Sequence, residues 1–169
     1  MALCLSGDFD YDDVINMVNK YFGNFERKQD PVFEVIKEEP ITSPKTTEVF
    51  GPEAERVYLG FRFDGASSSD ANMITMVDML LSNTSAGLID INLNQAQKLS
   101  GGGCFPYILN DYSLHAFYGT SLNDQKLEDV KDLLLSQINE IKKGNFSDWI
   151  LEAIISDLKL DQIKKYESN

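Results

Sequence analysis

Histidine is nearly absent. The chain has 169 residues and one histidine, His115, within Ser113-Leu114-His115-Ala116-Phe117-Tyr118, with no acidic residue in the four positions after it. A helical zinc centre needs two histidines one turn apart together with carboxylates, so this sequence cannot assemble one. Cysteine is scarce too: Cys4 and Cys104 stand a hundred residues apart, a spacing that fits no metal or redox motif. A disulfide scaffold uses more cysteines; one bridge or two small buried thiols remain, and the buried thiols are the expectation. No apolar run approaches the roughly 20 residues that span a bilayer. The opening Met1-Ala2-Leu3-Cys4-Leu5 lacks a basic n-region, so no signal peptide is expected there. A chain that begins directly in a strand-like run reads as a fragment of a longer protein. Positive charge is also short, with 15 basic against 27 acidic residues and a net charge of −12. Nucleic acids and anionic membranes call for a cationic footprint, so neither is an expected partner.

What the chain has in quantity is apolar pattern: 43% of its residues are hydrophobic, enough for one sizeable core or two small subdomains. Ala2–Leu5 reads as a short buried strand. Asp10 is placed to cap a helix, with Asp13 three positions on, Phe9 before the cap stapling onto Val14, and Val14, Ile15, Val18, Tyr21 and Phe22 at helical spacing up to Gly23. Residues 24–45 carry Pro31, Pro40 and Pro44 and read as an extended connection, with a strand at Val32–Ile36. Thr46–Phe50 is a short strand signal. In Arg56–Phe63, Val57, Leu59, Phe61 and Phe63 alternate with Tyr58, Gly60 and Arg62, which predicts a half-buried strand.

Ser67-Ser68-Ser69-Asp70 is placed to cap a helix striped by Met73, Ile74, Met76, Val77, Leu80 and Leu81. A further helix is expected at 86–99, ended by Gly101-Gly102-Gly103. Strands follow at Cys104–Leu109 and Tyr112–Leu122, joined through Asn110-Asp111. A helix starting at Asn123-Asp124 carries Leu127, Val130, Leu133, Leu134, Ile138 and Ile141 to Gly144, and a last one runs from Ser147 to about Lys165. Helices and antiparallel strands thus come in blocks, the signature of an α+β fold with helices packed on one face of an antiparallel-rich sheet.

Few residues offer chemistry. His115 between apolar neighbours reads as a hydrogen-bonded structural residue, because activating water needs a metal with further ligands. The triple glycine follows a helix and precedes a strand, the reverse of a phosphate cradle, and reads as a flexible turn. Cys104 shows no activating His/Asp pair in sequence, and Phe105 beside it suggests burial. Glu53, Glu55, Asp64, Asp70, Asp124, Glu128, Asp129 and Asp132 are explained by capping and solubility. Trp149, early in the last helix, is expected to pack against the sheet.

Ser6-Gly7-Asp8-Phe9-Asp10, with a helix ending Tyr21-Phe22-Gly23, resembles a recurring segment of the insulinase/pitrilysin family of zinc peptidases, a "V-G-D-F-D" turn, a helix and "Y-F-G". The sequel is similar as well: the strand at Val57–Phe63, a helix ending Leu80-Leu81-Ser82-Asn83, the break at Ser85-Ala86-Gly87-Leu88, and two closing helices with Gly144 before the second. The resemblance spans essentially the whole chain and rests on the order of its segments.

The resemblance implies a metallopeptidase-like α/β roll, built in that family from paired α+β units of which one carries an inverted His-x-x-Glu-His zinc helix. This chain resembles the metal-free partner. It implies a strand-helix end of a preceding unit at 1–30, a linker at 31–45 and a metal-free peptidase-like domain at 46–169. The helix from Asp70 to Leu81 looks like the counterpart of the zinc helix, with Met73, Met76 and Val77 where ligands would stand. Asn94, within Leu93-Asn94-Gln95-Ala96, falls where the family's partner unit has a substrate-facing Leu-Arg, and Gly101 falls near its tyrosine, for which Tyr107 is the alternative. The resemblance makes Asn94, Gly101, Gly102, Gly103 and Tyr107 a candidate peptide-contact region, where a peptide would lie along a strand edge. The implied role is not enzymatic by itself: a non-catalytic domain that helps enclose a substrate chamber and docks on a zinc-bearing peptidase unit, extended peptides being the other partner. The alternative is a stand-alone inactive adaptor with the same fold. No cofactor is expected in this chain, zinc belonging to the partner unit. The expectation for the parent is a soluble protein of the bacterial periplasm or cytoplasm.

Overall fold

The computed structural model describes residues 3–26, 28–32, 34 and 36–167. They form two compact units: Thr42–Asp161, and a smaller one holding the chain through Ile41 together with the residues from Gln162 onward.

The smaller unit contains helix α1, Tyr11–Phe22. Asp10 keeps extended backbone and its Oδ1 accepts the Asp13 amide at 3.0 Å, so the expected cap forms. None of the residues of α1 is buried. The expected strand at Ala2–Leu5 falls partly outside the described residues; Leu3–Leu5 is exposed and not in a strand. The strand expected at Val32–Ile36 includes Phe33 and Val35, which lie outside the described residues.

The larger unit is built on a three-stranded antiparallel sheet of β1 (Arg56–Asp64), β2 (Gly101–Ile108) and β3 (Tyr112–Thr120), in the order β1-β3-β2. Tyr58 lies opposite Tyr118, and Gly103 opposite Tyr118 on the other side, which fixes the alternation of faces. The inner face therefore carries Val57, Leu59, Phe61, Cys104, His115, Phe117 and Gly119, and the outer face Tyr58, Phe105, Tyr107, Ala116 and Tyr118.

Helices α2 (Asp70–Leu81) and α3 (Leu127–Lys142) cover the inner face. Leu81, Leu88, Ile89, Leu93, Leu99, Cys104, Phe117, Val130 and Leu134 form one buried cluster with Val57 and Leu59 against it. Gly119 lets α3 approach, since a Cβ there would lie 2.7 Å from Val130 Cγ1. Leu80, with Ile150 and Ile154 from α4 (Asp148–Glu167), makes a second cluster. An α+β layer with helices on one sheet face results.

Several local expectations are corrected. Thr46–Phe50 is not a strand; Val49 and Phe50 are 90% and 92% exposed, and no ladder partner meets the segment. The helix expected at 86–99 is a brief turn at Leu88-Ile89 followed by a π-helical segment, Asp90–Gln95. Its polar side chains bond elsewhere: Asp90 Oδ2 accepts the Asn83 amide, Asn92 Nδ2 donates to Gln137 Oε1, and Gln95 Nε2 donates to the Ser85 carbonyl. Gln97 then takes φ +51°, which ends the turn. Gly101–Gly103 is strand rather than flexible turn. A Cβ on Gly102 would meet Leu99 Cδ1 at 2.9 Å, and one on Gly103 would meet the Tyr118 hydroxyl at 3.0 Å. Ser69 precedes α2 in helical conformation without a side-chain capping bond. Asp124 adopts φ +63° in a turn, so α3 begins three residues later. Trp149 is 61% exposed, because Ile150 and Ile154 occupy the inward positions of α4. Cys4 is exposed and Cys104 buried, both free, so only one of the two thiols is interior.

Candidate functional site

The expected peptide-contact residues divide between two places. Asn94, in the π-helical segment, donates from Nδ2 to the Gly102 carbonyl at 2.8 Å, so these two meet and the segment is tied to β2. The Asn94 Oδ1 is buried and has no hydrogen-bond partner among the described residues. Gly101 has open space around it, and Gly103 lies under the Tyr118 ring on the outer face. Tyr107 also sits on the outer face, 53% exposed, its ring edge-to-face with Phe105 at 5.3 Å. Tyr107 therefore does not share a face with Gly102, the residue that Asn94 contacts.

The positions expected to parallel a zinc helix hold no ligand atoms: Met73 is 63% exposed, and Met76 and Val77 are partly buried apolar groups. A helical zinc site does not fit α2.

One residue later on that helix the chemistry changes. Asp78 Oδ1 lies 2.9 Å from His115 Nε2 on β3. The His115 side chain is 5% exposed and that of Asp78 14%. The imidazole is also flanked by Phe117, ring centroids 4.5 Å apart. An ionised carboxylate only accepts, so Nε2 carries the proton in this contact. Cys104 on β2 completes the group: its Sγ donates to the Asp78 backbone carbonyl at 3.8 Å. The Asp78 carboxylate, the Cys104 sulfur and the His115 ring nitrogen all lie within 4.8 Å of one another.

Burial, and then the charge of Asp78, pushes the Cys104 thiol well above the usual cysteine range. A nucleophilic cysteine needs the opposite shift and a base on its sulfur, whereas here the imidazole faces Asp78. The group ties helix to sheet and is not an activated thiol.

His115 is hydrogen-bonded and structural, as its apolar neighbours predict. The expectation that Cys104 has no His/Asp pair is corrected: both partners stand beside it, from 11 and 26 positions away along the chain. Asp78 belongs to no sequence motif. The signal for it was a lone acid between Val77 and Met79 in an otherwise apolar stretch.

The larger unit is an α+β layer in which the Asp78–Cys104–His115 group joins α2 to the sheet. A protease from Helicobacter pylori has a similar fold, with a TM-score of 0.72 at 20% identity over 96% of this chain. The chain spans 40% of that protease's length. No curated protein matches the sequence. Residues 1–158 match the Peptidase M16 inactive domain, so the chain belongs to that family. It is a peptidase-like domain of the inactive type, and no described helix is long and apolar enough to cross a membrane.

Proposed function

We propose that this chain serves as the non-catalytic member of a two-unit peptidase, docking on a zinc-bearing unit and closing one side of its substrate chamber. The observation that carries the reading is the nearly full-length match to an inactive peptidase domain. The use of the only histidine supports it: His115 is buried against Asp78 and is not offered at the surface. Met73, Met76 and Val77 in place of ligands point the same way. The catalytic zinc would then reside in the partner unit, and extended peptides would be the shared substrate. The domain at 46–169, preceded by the end of another unit at 1–30 and a linker at 31–45, would be the docking part.

Mixing purified chain with a zinc-bearing M16 peptidase unit tests the proposal. The expected result is a stable complex whose peptidase rate exceeds that of the zinc-bearing unit alone. A chain that neither binds nor alters that unit would instead point to the stand-alone adaptor.

A further inference from the structure

The triad of Asp78, Cys104 and His115 has the composition of a metal site and is buried between helix and sheet. It supplies one carboxylate oxygen, one cysteine sulfur and one imidazole nitrogen, the donor atoms that hold Zn²⁺. Each comes from a different rigid element, α2, β2 and β3, and all three elements meet in the buried layer beneath the sheet. The placement follows from the register. Cys104 is opposite Phe117, so it shares the inner face with His115 and lies diagonal to it across the ladder. Asp78 reaches both from α2.

From these observations we propose that Asp78, Cys104 and His115 form a buried three-ligand site for a borderline-soft divalent cation of the Zn²⁺ kind. Ligand atoms around a tetrahedral zinc with arms of about 2.0–2.3 Å lie about 3.3–3.7 Å apart. The Asp78–His115 contact of 2.9 Å needs only a small widening to admit the ion, and the sulfur is already within 4.8 Å of the other two donors. On binding, the imidazole moves its proton from Nε2 to Nδ1 and the thiol releases its proton to solvent. Three bonds to the metal then replace the hydrogen bonds that joined these groups, and a water or the second Asp78 oxygen completes the shell. The site departs from the sequence-based expectation that this chain holds no metal. It is independent of the docking proposal, since a buried site of this kind locks helix to sheet and performs no hydrolysis.

Cobalt(II) titration of the isolated 169-residue chain, followed by zinc displacement, reads the site directly. The expected result is one equivalent bound, with a thiolate-to-cobalt charge-transfer band that zinc abolishes and a thermal midpoint raised by either metal. Cys104→Ala and His115→Gln, each checked for native circular dichroism, should lose the band and the thermal shift. Cys4→Ala should keep both, because Cys4 is exposed and outside the triad. The proposal is overturned if no band appears. It is equally overturned if the band survives Cys104→Ala, or if metal uptake is unchanged in His115→Gln, the signature of loose binding to an acidic surface.

Discussion

The two faces of one small sheet have opposite fates. On the inner face Phe117 is 1% exposed and His115 4%, beneath α2 and α3. On the outer face Tyr58 is 61% exposed and Tyr107 53%. Both faces carry aromatic rings, Phe61 and Phe117 inside and Tyr58, Phe105, Tyr107 and Tyr118 outside, so an aromatic ring alone does not decide burial. What separates them is whether another element of the described chain supplies a complementary surface. The inner face has helices whose apolar stripes match it, and small residues that let them approach. On the outer face the rings pack on one another: Phe105 against Tyr107 and Tyr118, and Tyr58 against Tyr118. Inward residues carry the stability of the unit, and outward ones should be free to change.

Phe117→Ala should have the largest effect, about 3–5 kcal/mol lost in denaturant unfolding, because it empties the centre of the buried cluster. If that loss were below about 1 kcal/mol, the inner face would not be the core. Asp78→Ala comes next. It leaves the His115 Nε2 buried without its acceptor and should cost about 1–3 kcal/mol, while Asp78→Asn, which keeps an acceptor oxygen, should cost less. Gly119→Ala should fall in a similar range, about 1–3 kcal/mol, since its Cβ would press on Val130 at 2.7 Å. Gly101→Ala, with open space around it, is the matched control and should change stability by less than about 0.5 kcal/mol. The smallest effect belongs to Tyr107→Ser on the outer face, within about 0.5 kcal/mol by the same unfolding measurement. A cost there comparable to that of Phe117→Ala would erase the distinction between the faces.

Thiol chemistry sharpens the contrast without any substitution. Cys104 is buried and its thiol is held protonated, whereas Cys4 is exposed. Native chain should therefore expose one thiol to a disulfide reagent near neutral pH, and denatured chain two. Two fast native thiols would mean that the inner layer is open.

Much of the fold was legible in the sequence because its strongest signals are periodic. The alternation of Val57, Leu59 and Phe61 located β1, and the stripe ending Leu80-Leu81 gave α2 its observed limits, Asp70–Leu81. The cap at Asp10 was legible for the same local reason, a carboxylate within reach of an amide three residues on. What escaped depends on contacts between distant segments. Thr46–Phe50 has strand composition, but a strand needs a neighbour and nothing in its own residues reveals whether one exists. The π-helical segment is held by contacts such as the bond from Asn92 to Gln137, 45 positions away. The glycines of β2 looked like punctuation because the Tyr118 ring over Gly103 is invisible without the register. The triad is the clearest case: three single residues with no spacing motif, joined only by the packing of α2 on β2 and β3.

The most direct test of the account is a peptidase assay on the purified chain, alone and then with a zinc-bearing M16 unit, each with saturating zinc and again with chelator. The account predicts no peptide cleavage by the chain alone under any metal condition, and chelator-sensitive cleavage, faster than that of the zinc-bearing unit by itself, once the two are combined. Chelator-sensitive cleavage by this chain alone, lost in His115→Gln, would contradict it.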